Sequence, residues 1–209
     1  MTETPRFEPI YPAHAIERCS ATVGFGEPIT EKLLQKIRTK AGPLFSQLQM
    51  GAQVQSQLSF EIDPQSGVAT PKQSGFGAIV YSNMDRSLNC IITPMALVWN
   101  NARYVRWQPF IGQMEQTIPP LLSIINDAVN ITNIKLEYLD RFYWTGDWDN
   151  FDSKKLLRSD RGSWAETANR GRREWHSHAG WFETISENSR RLMNINIDAV
   201  SATDRPPRG

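Results

Sequence analysis

The chain has 209 residues, 23 Lys+Arg against 22 Asp+Glu, 40% apolar and 22% charged residues. These proportions fit a soluble globular protein and exclude a collagen, a coiled-coil rod and a wholly disordered chain, while the apolar runs are too short for a transmembrane helix. A formal charge of +1 gives no global attraction to nucleic acid or an anionic membrane, so any such surface must be local.

Residues 1–15, MTETPRFEPIYPAHA, lack the continuous hydrophobic segment that export requires, so the protein reads as cytoplasmic. Cys19 and Cys90 then read as reduced packing residues. With three prolines and no period, residues 1–15 are predicted to be an extended arm. From Arg18, alternation of Cys19, Ala21, Val23 and Phe25 with Ser20, Thr22 and Gly24 predicts a strand buried on one face. Thr30 is placed to cap a helix whose stripe is Leu33, Leu34, Ile37, Ala41, Leu44 and Phe45, with Gly42 and Pro43 weakening its last turn.

Val54, Leu58, Phe60 and Ile62 alternate with polar residues in the next strand, and DPQSG at 63–67 reads as a turn. The polar stretch to Ser74 reads as a loop before a short strand over 76–81, a tight turn at Asn83–Arg86 and two further strands over 87–93 and 95–100 separated by Pro94. Connections this short make an antiparallel meander. Phe110, Ile111, Met114, Ile118, Leu121, Leu122, Ile125 and Val129 then recur at helical spacing, and Pro119 and Pro120 inside that run predict a kink or two helices in tandem. Ile134, Leu136 and Tyr138 open a long strand running to about Trp144. Two late strands, near 179–185 and 191–200, close the chain before a disordered tail at 201–209. The expected fold is α+β, a mostly antiparallel twisted sheet with two main helices packed on one face. It forms one domain over 16–200 that carries a polar, aromatic and basic insertion at about 146–178.

AIERCSATVGF at 15–25, the following EPITEKLL, the strand QSQLSFEI, the segment MALVWNNARYVRWQPF and IKLEYLDRFYW together resemble a sporadically distributed bacterial family of conserved hypothetical proteins. The landmarks of that family fall here on Trp99 and Asn100, Tyr104, and Leu136 with Tyr138. Where the family usually has an Asn-Arg pair, this chain has Asp140 and Arg141. The resemblance covers about residues 15–145, more weakly 179–200, and implies fold and bacterial origin but no activity.

Three features outside that frame carry chemistry. His176 and His178, at i and i+2 on a strand, point to one face, so a third ligand from His14, Glu183 or Asp140 would complete a metal site able to activate water for hydrolysis. Asp140 is the preferred third ligand. Between Glu137 and Asp152 acids prevail, whereas Lys154, Lys155, Arg158, Arg161, Arg170, Arg172 and Arg173 make the next segment basic and able to grip phosphates. Five of the seven tryptophans, Trp144, Trp148, Trp164, Trp175 and Trp181, fall in this same late region, and Trp148 and Trp164 sit in polar loops that core packing does not explain. No GxSxG, P-loop or strand-linked GxGxxG is present. The sequence therefore favours a non-catalytic, cofactor-free accessory or binding protein over an enzyme. It would engage a protein partner, or another copy of itself, through the aromatic residues, with nucleic-acid binding as the alternative and metal-dependent hydrolysis third.

Overall fold

In the computed structural model, Thr30 sits in extended backbone and its hydroxyl accepts from the Leu33 N–H at 3.3 Å, so the first helix, α1 (Glu31–Gln47), starts at the residue its sequence marks. The structure describes residues 4–62, 69–125, 128–158 and 174–201, with side chains omitted at 56–62 and 69–76. Arg161, Trp164, Arg170, Arg172, Arg173 and residues 202–209 of the tail expected to be disordered lie outside the described residues. The chain divides into two compact units, Ile10–Arg141 and Met1–Pro9 with Phe142–Gly209.

The fold is α+β. In the unit Ile10–Arg141, strands β2 (Ile16–Phe25), β3 (Gly51–Ile62), β4 (Ala69–Ser82), β5 (Leu88–Ile92), β6 (Ala96–Asn101) and β7 (Ile131–Asp140) form one sheet. Its order is β3-β4-β5-β6-β2-β7 and every neighbouring pair is antiparallel. α1 and α2 (Trp107–Ile125) pack with it around one core. Period-two alternation decides which side chains enter that core. Cys19, Ala21, Val23 and Phe25 of β2 are buried, and Val23 and Ala21 stand opposite the buried Leu97 and Trp99 of β6. Leu34, Ile37, Ala41 and Phe45 from α1 and Phe110, Ile118, Leu121 and Ile125 from α2 close the core from the helical side. Both cysteines are buried and free, as the sequence implied.

Both helices run through their interior prolines, and two strand expectations are corrected. α1 runs through Pro43 to Gln47, because Phe45 beyond the proline is fully buried and stacks on Tyr81 with centroids 3.7 Å apart. Burying such a ring is worth about 1.5–3 kcal/mol, comparable to the cost of an interior proline. α2 is one helix through Pro119 and Pro120. Those prolines remove the N–H partners of the Glu115 and Gln116 carbonyls, and all four residues lie on the exposed side where water replaces the lost bonds. Residues 69–74 are strand, not loop, since their backbone pairs with β3. The long strand expected over 134–144 is interrupted at Arg141, whose N–H donates to the Ala15 carbonyl and whose carbonyl accepts from the Ile10 N–H. Its first part is β7, and its last, β8 (Phe142–Trp144), belongs to a different sheet.

In the other unit, β1 (Phe7–Pro9) pairs antiparallel with β8, so part of the predicted extended arm is a strand. β9 (Trp175–Ser186) and β10 (Ser189–Ala199) form an antiparallel hairpin, starting earlier than the sequence suggested and taking in both histidines. No described helix is long and apolar enough to cross a membrane.

Candidate partner-binding surface

Trp144 and Trp148 belong to a small packed cluster. Trp144 lies 5.1 Å from Phe7 and 6.0 Å from Phe151, and Trp148 lies 4.6 Å from Phe151. The turn chemistry of GDWDNFD builds this arrangement. The Trp144 indole N–H donates to the Asp147 carbonyl at 3.0 Å, Trp148–Asn150 form a short 3-10 turn, and Asp152 caps the next turn by accepting from the Lys154 N–H. Lys155 donates to the Pro5 carbonyl at 3.1 Å and places its ammonium 5.1 Å from the Trp144 ring centre. Trp148 therefore has a packing role that its polar neighbours concealed, and both rings are only half-exposed. Of the seven basic residues expected to grip phosphate, only Lys154, Lys155 and Arg158 are described, and Lys155 is committed to holding the chain before β1.

The hairpin sorts its side chains by face. Across the strands, Trp175 faces Ala199, Ser177 faces Ile197, Ala179 faces Ile195 and Trp181 faces Met193. The opposite face carries His176 against Asp198 and, toward the turn, Phe182 against Leu192. Trp175 is buried at the base, so it contributes no exposed contact area. Toward the turn, by contrast, Trp181, Phe182, Ile185, Leu192 and Met193 are all exposed, Phe182 by 65%. Phe182, Ile185, Leu192 and Met193 were not singled out from the sequence. The Trp181 indole N–H donates to Glu183, which also pairs with Arg191 across the strands. Hydrogen bonding from Arg191, and then from Trp181, holds the Glu183 carboxyl below its ordinary range.

Each histidine has a cross-strand partner. His176 Nδ1 donates to the Asp198 carboxylate at 2.6 Å, and His178 Nε2 donates to the Asn194 side-chain oxygen at 2.7 Å. Asp140 falls in the other unit, on the edge strand β7. Among the described residues no three His, Cys, Asp or Glu side chains gather as a metal site.

The sequence did not signal a second cluster, in the unit Ile10–Arg141. Cys19 hydrogen-bonds with Tyr138, Tyr138 meets the Tyr104 ring edge to face at 6.0 Å, and Tyr104 meets His14 at 5.7 Å. Burial pushes the Cys19 thiol up to about 11 against the Tyr138 hydrogen bond that lowers it, and burial likewise pushes Tyr138 to about 12. A thiol so raised is protonated near neutrality and is not a nucleophile there. A shallow depression elsewhere, bordered by Pro28, Leu33, Val129, Lys32 and Lys36, holds no histidine, cysteine or carboxylate pair. The hairpin end thus gathers five exposed large apolar side chains, Trp181, Phe182, Ile185, Leu192 and Met193. Compared with known proteins, the chain matches no family model and no curated protein.

Proposed function

We propose that this chain is a non-catalytic accessory or binding protein that engages a protein partner through the outer half of the β9–β10 hairpin. The observation that carries this reading is the exposure of Trp181, Phe182, Ile185, Leu192 and Met193 on a sheet of only two strands. A two-stranded hairpin is marginally stable by itself, and large apolar side chains exposed on both of its faces are area that a bound partner can cover. The described part of the sheet leaves the outer edge of each strand without a strand partner, so main-chain pairing is open to a bound segment while Trp181 with Met193 on one face and Phe182 with Leu192 on the other supply area. Cytoplasmic residence, and kinship with the bacterial family that residues 15–145 resemble, belong to the same proposal.

Affinity capture with the full chain, compared with a Trp181→Ala/Phe182→Ala variant of unchanged far-ultraviolet circular dichroism, tests it. Specific loss of captured proteins in the variant is expected. An identical captured set removes the reading.

A further inference from the structure

The core face of the six-stranded sheet does not end where its helical cover ends. One row of side chains crosses it in register, Ile79 to Ile92 to Leu97 to Val23 to Ile134. The first three are 0% exposed and Val23 3%, yet Ile134 is 76% exposed. The adjacent row, Tyr81 to Cys90 to Trp99 to Ala21, ends on Leu136 at 43%, and Cys19 stands beside Tyr138 at 44%. Edge strand β7 thus carries three large apolar residues on the core face, and all ten of its residues are exposed. Its register against β2 is unbroken from Asn133 to Leu139, so the middle of the strand has no bulge that would turn the edge away.

We infer that β7 pairs antiparallel with β7 of a second copy of this chain, joining two six-stranded sheets into one. The sequence of the strand is complementary to itself in one register. Two-fold symmetry between antiparallel neighbours requires one residue to face its own copy on the axis, with directly opposed side chains on the same face of the joined sheet. Centred on Leu136, that pairing sets Leu136 against Leu136, Ile134 against Tyr138 and Lys135 against Glu137 of the copy. The exposed apolar rows then meet on one face and two opposite-charge pairs form on the other. Centring on Lys135 or on Glu137 instead places identical charges directly opposite, which destabilises a pair. Within one chain Lys135 already bridges Glu137 at 2.7 Å, so both charged ends lie on the polar face beside the axis. This interface uses neither the hairpin nor any residue of the proposed partner surface.

Sedimentation of the full chain at about 100 µM, a concentration that reveals dissociation constants in the micromolar range, reads the association directly. The wild type is expected to be a dimer. Lys135→Glu and Glu137→Lys, each changing only an exposed side chain, are expected to weaken dimerisation at least about tenfold by opposing like charges. The decisive arm is an equal mixture of the two variants. There the two acidic side chains of one chain face the two basic side chains of the other, and dimers return. A monomeric wild type, single variants that associate as tightly as wild type, or a mixture that stays monomeric overturns the inference. A Trp181→Ala/Phe182→Ala chain is expected to remain dimeric, and its dissociation into monomers would overturn the β7 assignment while leaving the hairpin reading intact.

Discussion

Tyr104 and Tyr138 meet edge to face with ring centroids 6.0 Å apart, and Tyr138 also hydrogen-bonds Cys19 from the neighbouring strand. Tyr104 is buried just before α2, and Tyr138 stands on edge strand β7, so the pair fastens an otherwise exposed strand to the core. Burial keeps the Cys19 thiol in this cluster protonated near neutrality.

Burial of Cys19 has a direct chemical consequence. Because its pKa rises from 9.0 to about 11, the folded state retains the proton over a range in which the unfolded chain loses it. The resulting stabilisation is present below pH 9 and is lost as pH rises toward 11. Thiol titration at pH 8 is expected to find Cys19 and Cys90 unreactive in the native protein and both reactive in denaturant. Denaturation midpoints are expected to decline across the alkaline window less steeply in Cys19→Ala.

Phe45→Ala removes a fully buried ring stacked on Tyr81 and leaves the last turn of α1, beyond Pro43, without its anchor. A loss of about 3–5 kcal/mol is expected from urea denaturation, as for other Phe truncations in cores. Thr30→Ala, which deletes only the cap on Leu33, is expected to cost about 1 kcal/mol in the same assay.

Trp144 contacts Phe7 and Phe151 and underlies the Lys155 ammonium. Trp144→Ala is expected to speed amide exchange at Phe7 and Glu8, where β1 pairs with β8, far more than within β2. Uniform acceleration in both strands would contradict the local role of this cluster.

Glu183 accepts from both Arg191 and Trp181, and these bonds lower its pKa below 4.5. Their stabilising contribution is therefore present above the ordinary carboxylate range and disappears as pH falls through the lowered value. An acid-induced change in tryptophan emission with a midpoint below pH 4.5 is expected, and its Trp181 component should vanish in Glu183→Gln.

Local chemistry alone determined much of this fold. Period-two alternation marked which residues of β2 are buried, Thr30 marked the start of α1, and short connections required an antiparallel meander. Those signals are local because side-chain direction and capping depend on near neighbours in sequence. Pairing partners and cover are not local. Residues 69–74 look like a loop by composition, yet they are strand because β3 offers their backbone a ladder. The pattern at Ile134, Leu136 and Tyr138 correctly gave their common face but not their exposure, which depends on how far the two helices reach across the sheet. Trp148 looked unexplained until the turn folded it onto Phe151, while Trp175 lost its place on the contact surface through burial. Periodicity assigns a side chain to a face, and only tertiary packing decides whether that face meets protein or water.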